Sequence, residues 1–273
     1  MVRSLWSAAS GMIAQQTNLD VIANNLANVN TTGYKAETAE FKSLLYQTMQ
    51  TETTTANGAH KPISAQVGLG VRNSAVTSVF KQGSLLAAAS DTAFAIEGNG
   101  FFAVRDIDGT TKYTRNGNFV FNTNGSNQLT LSTSDGLPVL DTTGKAITIN
   151  TNTYAANKIT VDGDGRLCYP DAQNNAQPIG IQIGLFQFNN ASGLEKVNDT
   201  LYNPTAASGT AINEARSTGI DKSRVVQGYL EGSSVQVVDE MVNMIVAQRA
   251  YEMNSKAITT TDSMMEIANN LKR

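Results

Sequence analysis

Few residues in this 273-residue chain carry side chains suited to chemistry. His60 is the single histidine and Cys168 the single cysteine. One histidine excludes a multi-histidine metal site within a chain. One cysteine excludes both an intrachain disulfide and a cysteine-based zinc site. His60 stands in a Thr-rich stretch with no adjacent carboxylate or thiol, and reads as a solvated loop residue. Cys168 follows Leu167 in an apparent strand and reads as buried and inert.

Two acidic pairs invite a metal reading. Asp106-Ile107-Asp108-Gly109 and Asp162-Gly163-Asp164-Gly165 each resemble a fragment of a calcium loop. Neither carries a third oxygen ligand and a distal Glu at EF-hand spacing, so both read as β-turns. Gly98-Asn99-Gly100 lacks the third glycine and the following helix of a dinucleotide fingerprint, and also reads as a turn. Nothing brings together a nucleophile, a base and an oxyanion site. The chain is read as a non-enzyme, with no cofactor and no metal.

Composition narrows the partners. Charged residues make up only 16% and the formal net charge is −3. Without a Lys/Arg cluster, nucleic acid is not expected as a partner. No apolar run approaches the ~20 residues needed to span a bilayer. The opening LWSAASGMIA follows a helical period rather than forming a continuous apolar block, so no cleaved signal is expected.

The elements that organise the chain lie at its ends. Leu5, Met12, Leu19 and Leu26 recur every seven residues, with Ala8, Ile22 and Val29 at the three-residue offset. In the last stretch Met244, Tyr251, Ile258 and Met265 recur in the same way, with Val237, Met241 and Ala247 widening the stripe and Val238 and Ile245 flanking it. Both read as long amphipathic helices with a coiled-coil-like seam. The first should end near Asn28 to Thr32, where Gly33 suits a left-handed C′ position. The second should run from Val235 to Leu271, with Glu252 and Lys256 as a solvated i, i+4 pair. Pairing the two helices covers one face of each and does not repay the entropy of ordering them. The ends are therefore expected to order only among neighbouring copies, and a head-to-tail contact that does not close makes a helical filament.

The middle is punctuated differently. Short apolar runs at 94–96, 101–104, 119–121 and 129–131 alternate with Asn99-Gly100, Asp108-Gly109, Asn116-Gly117, Asn124-Gly125 and Asp135-Gly136. That spacing predicts a meander or barrel-like sheet, with further strands at 146–149, 158–161, 166–169 and 179–188. The expected fold class is α+β. Long terminal helices pair as a coiled-coil stem, with an inserted, mainly antiparallel β-domain and extended arms. The expected divisions are a helix at 1–33, an arm at 34–82 with an exposed excursion at 47–69, a β-domain at 83–195, a return arm at 196–228 and a helix at 229–273.

The terminal motifs carry a resemblance. ANNLANVNTTGYKAETAEF, with Asn24, Asn25, Asn28, Gly33, Tyr34 and Lys35, resembles the N-terminal signature of flagellar rod and hook proteins. VDEMVNMIVAQRAYEMNSKAITTTDSMME, which contains Arg249, is similar to that family's C-terminal helix. Gly100-Phe101-Phe102 and Tyr113-Thr114-Arg115-Asn116-Gly117 match its β-domain.

The resemblance implies terminal helices that form an inner tube around an export channel, with arms and β-domain as outer layers. It implies a structural subunit of the distal rod, within the basal body, in a straight hollow shaft that passes torque from motor to hook. Its implied partners are further copies of itself, proximal rod and hook subunits, the flagellar type III export apparatus, the rod cap, and bushing rings where an outer membrane exists. The excursion at 47–69 is implied to brace neighbouring subunits. The rival readings are a proximal rod or hook subunit and, in a different class, a secreted β-rich oligomeric binding module.

Overall fold

A computed structural model describes residues 2–50, 65–123, 125, 128–171, 173, 175–198 and 200–271. His60 and most of the excursion lie outside the described residues. The chain divides into two compact units. One holds residues 1–27, 37–77 and 236–273, and the other holds residues 28–36 and 78–235.

The first unit contains two long helices, α1 (Val2–Ala27) and α2 (Val237–Asn270). Asp239 and Glu240 occupy the first turn of α2, where they complement the helix dipole. The helices are antiparallel neighbours: Asn25 near the end of α1 meets Glu240 in the first turn of α2, and Gly11 lies against Asn254. Residues 37–50, within the expected arm, hold two strands. Strand Glu37–Ser43 pairs with Val71–Ser78, and Tyr46–Gln50 pairs antiparallel with Ala65–Gly68.

The second unit is the β-domain, and the strand pairings that define its sheets are antiparallel. Its largest sheet has six strands in the order Glu195–Asn198, Leu201–Asn203, Thr111–Thr114, Phe101–Arg105, Leu185–Gln187 and Ile212–Asn213. Phe102, Val104, Phe119, Leu131, Val139, Ile147 and Ile183 pack into one core. Phe101, Tyr113, Leu140 and Tyr202 form a second, with edge-to-face ring contacts such as Tyr113–Phe188 at 4.8 Å.

Three expectations change. Residues 196–228, read as a return arm, supply strands to the six-stranded sheet, and Arg224–Gln227 pairs with Phe94–Glu97. These strands are two to four residues long and half polar, so alternation was too brief to read. Asn99-Gly100 and Asn116-Gly117 bend the chain without closing hairpins, because the strands they join pair elsewhere. Their glycines serve close approach instead: a Cβ on Gly117 would stand 1.7 Å from the Phe94 carbonyl oxygen, and one on Gly100 would stand 2.6 Å from Glu214 Oε1. Finally, Glu252 pairs with Arg249 at 2.7 Å rather than with Lys256.

The two acidic pairs sit in β-turns. Gly109 N donates to Asp106 O at 3.0 Å and Gly165 N donates to Asp162 O at 2.8 Å, both glycines having φ near +80°. Asp106 also pairs with Lys112, which holds its carboxyl below the usual range. Cys168 is buried on strand Arg166–Pro170, and burial pushes its thiol up.

Candidate assembly surface

The contact between α1 and α2 is lined by small and polar side chains. On α1, Ala8, Ala14, Val21, Ile22 and Asn25 are buried. Gly11 lies so close to α2 that a Cβ there would come within 2.9 Å of Asn254 Nδ2. On α2, Ala247 is the buried residue at 1% exposure, with Met244, Ile258 and Met265 half-buried beside it. Small residues let the backbones approach, so the bulky heptad Leu5, Met12, Leu19 and Leu26 is displaced one position to the flank and stays half-buried. Val29 lies beyond the end of α1 and is half-buried in the β-domain unit. The recurrence of Ala8, Gly11 and Ala14 at three-residue steps is the sequence signal for this tighter stripe.

Among the described residues, nothing covers the rest of the apolar surface on these helices. Val238 is 73% exposed, Ile245 56%, Met241 53% and Tyr251 41%. Trp6, Ile13, Val242, Val246, Met253, Met264 and Ile267 are exposed as well. A single chain thus carries two apolar faces per helix pair, one closed and one open to solvent. Exposed apolar side chains in this number along both helices mark an interaction surface.

The family-motif residues do structural work at the helix ends. Asn25 Oδ1 accepts from Glu37 N at 2.9 Å, while Nδ2 donates to Glu37 O at 2.8 Å and to Glu240 Oε1 at 3.0 Å. Asn24 Nδ2 donates to Glu37 Oε2 at 3.3 Å. Asn28 Oδ1 accepts from Thr31 Oγ1 at 3.1 Å. Tyr34 is buried, its carbonyl accepts from Ser234 N, and its ring lies under Lys196 Nζ at 4.3 Å. Arg249 is exposed on α2 and carries the Glu252 pair.

The remaining motif residues converge inside the β-domain unit. Lys35 Nζ donates to Glu231 Oε1 at 2.6 Å and to Lys81 O at 2.8 Å. Arg115 Nη1 reaches Glu231 Oε2 at 3.3 Å, Nη2 donates to Gly98 O at 2.7 Å, and the guanidinium stacks over Phe101 at 5.0 Å. Gly83 N donates to Glu231 Oε1 at 2.9 Å. Gly33 N donates to Glu231 O at 2.8 Å with φ of 71°, and a Cβ there would lie 2.6 Å from Asn116 N.

All three charged side chains are essentially buried. Burial lowers the Lys35 pKa from its ordinary value, opposed by Glu231 and reinforced by the nearby Arg115 charge. Burial likewise lowers that of Arg115, with Glu231 opposing. Sequence reasoning missed Glu231: a lone acid in YLEGSS carries no periodic or motif signal.

A β-domain held shut by both of its chain ends, in a chain whose helix pair exposes apolar side chains, describes a building block for a larger structure. Comparison with known proteins gives that class its family. The model of the flagella basal body rod protein family matches residues 5–35, that of the flagellar hook protein FlgE/F/G D1 domain matches residues 95–169, and that of the flagellar basal body rod FlgEFG protein C-terminal matches residues 226–271. Lys35, Arg115 and Glu231 fall one in each matched segment.

Full-length relatives agree. The chain is 44% identical to flagellar basal-body rod protein FlgG of Borreliella burgdorferi, over all of both chains. It is 44% identical to FlgG of Agrobacterium fabrum over 99% of this chain and 100% of that one. It is 38% identical to FlgG of Bacillus subtilis, again over all of both. The chain belongs to the flagellar basal-body rod family, as a structural component. Among the described residues, no helix is long and apolar enough to cross a membrane.

Proposed function

We infer that this chain is the structural subunit of the flagellar distal rod, polymerising through its terminal helices into a hollow shaft that passes torque from motor to hook. The observation that carries this reading is the open apolar face of the helix pair, which calls for further copies of the same helices to cover it. The buried Lys35–Glu231–Arg115 centre supports it from the mechanical side. It ties residues 28–36 and 229–235 into the β-domain, so the chain entering and leaving the domain is held by charge-assisted bonds rather than by loose loops.

The partners that follow are copies of the chain along and around the shaft, proximal rod and hook subunits at its two ends, the flagellar type III export apparatus and rod cap during assembly, and ring proteins where an outer membrane is present. Coiled-coil packing of α1 and α2 among neighbours belongs to the same proposal. The test is Ile245→Asp, a charge placed on the open face of α2. Sedimentation and electron microscopy should show subunits that no longer polymerise, with an unchanged β-domain by circular dichroism. Polymers indistinguishable from wild type would refute the assignment of this face.

A further inference from the structure

The apolar heptads of α1 and α2 do not by themselves define how the helices align. Leu5, Met12, Leu19 and Leu26 on α1 and Met244, Ile258 and Met265 on α2 lie half-buried beside the contact at seven-residue steps or multiples of them, so sliding one helix by a heptad presents an equivalent set of apolar flanks. Something else must select one alignment. We propose that Asn25 and Asn254 fix the axial register of α1 against α2 by penalising a slip of one heptad.

Asn25 is 1% exposed and both ends of its amide are engaged. Two of its bonds go to the Glu37 backbone, which anchors it to the strand that follows α1. The third crosses to Glu240 on α2. Sliding α2 one heptad either way removes Glu240 and brings up Ala247 or Ser233, the latter outside α2. Neither restores a carboxylate acceptor, and a buried amide hydrogen that loses its partner is costly.

Asn254 acts by size. It packs on Gly11, where even a methyl group would come within 2.9 Å of its amide nitrogen. A one-heptad slip puts Asn18 or Ser4 opposite Asn254 instead, and either side chain pushes the helices apart. Asn25 and Gly11 are as far apart on α1 as Glu240 and Asn254 are on α2, two heptads in each case. Any one-heptad slip therefore breaks both contacts together. A single buried polar residue is a well-attested means of choosing register at a cost in stability. The inference concerns one chain, and stands or falls apart from the shaft reading.

The test measures the alignment directly. Spin labels are placed on the exposed positions Arg3 and Asp239 of the full chain, with Cys168→Ala removing the native thiol. In the native register Arg3 lies level with Asp262, so the labels are separated along the axis by about 35 Å, at ~1.5 Å per residue. Double electron–electron resonance is recorded on free chains and on labelled chains diluted into assembled unlabelled polymer.

The parent should show one distance. Asn25→Leu combined with Asn254→Ala should show a second population displaced by about 10 Å, one heptad at ~1.5 Å per residue. Glu240→Leu with Asn254→Ala should do the same while leaving the Asn25–Glu37 bonds in place, which guards against a simple folding defect at Asn25. One unshifted distance in both variants would overturn the proposal, because the covalent connections alone would then hold the register. It would also be overturned by a broad distribution with loss of helical circular dichroism in both, since the asparagines would then hold the pair together rather than align it. A parent with no defined distance in either preparation has the same consequence.

Discussion

Glu231→Gln tests the buried centre with the least change of shape. The substitution keeps an oxygen for the Gly83 amide but removes the one anion that Lys35 and Arg115 share. Two cations are then left buried without that counter-ion, Lys35 with the amide oxygen and the Lys81 carbonyl as acceptors and Arg115 with the Gly98 carbonyl. Breaking a buried pair in this way costs roughly 3–5 kcal/mol, and the shared carboxylate argues for the upper end. Against a total stability of about 5–15 kcal/mol for a domain, the loss is large.

Lys35 can relieve part of it by shedding its proton. Burial already lowers its pKa, and loss of Glu231 removes the group that opposes that shift. The unfolded chain then binds this proton more tightly than the folded one, so stability rises with pH below the ordinary lysine value of about 10.4. The penalty of Glu231→Gln should thus be greatest near neutrality and shrink as pH approaches 10. Urea unfolding followed by tyrosine near-ultraviolet circular dichroism reports mainly on the β-domain, since Tyr46 and Tyr251 alone among the tyrosines lie outside that unit and the one tryptophan, Trp6, lies on α1. A variant within about 1 kcal/mol of the parent at pH 7, below the cost of one broken buried pair, would refute the reasoning. So would a penalty that grows with pH.

Other outcomes follow from the same structure. Gly33→Ala forces a side chain into the left-handed region and against the Asn116 backbone, and should cost more than about 2 kcal/mol in the same assay. Limited proteolysis of the unassembled chain, read by mass spectrometry, should remove α1 and α2 before it cuts the β-domain, because the helices' open faces leave them near the low end of local stability. Phe102→Ala, in the centre of the larger core, should cost about 3–5 kcal/mol and lower the midpoint of β-domain unfolding.

The helices were legible because their apolar residues repeat over many turns. The first ends at Ala27, a residue short of the expected range, and the second runs from Val237 to Asn270. Most strands from 94 to 187 were legible for a similar reason, as apolar runs set off by turn residues, but Thr111–Thr114 was not among those expected and 179–188 holds parts of two strands, Ala176–Gln182 and Leu185–Gln187. What the pattern did not convey was pairing. Strand Phe94–Glu97 is followed by an Asn-Gly pair and looks like half of a hairpin, yet its partner is Arg224–Gln227. Long-range pairing leaves no local mark.

The inward stripe of α1 was hidden for a different reason. Ala8, Gly11 and Ala14 have little hydrophobicity, so the larger Leu and Met residues beside them dominate the period. The centre around Glu231 escaped entirely. Lys35 and Arg115 stood inside recognised motifs, but nothing local links either of them to an acid so far along the chain.

That separation has a kinetic side. A chain delivered N-terminus first, from a ribosome or through any narrow passage, supplies Lys35 and Arg115 long before Glu231. Until the acid arrives, closing the strands would strand two cations away from water with no counter-ion, which is steeply unfavourable. The domain is thereby timed to its own tail: it stays pliable while most of its length goes by, and locks once the final segment comes through.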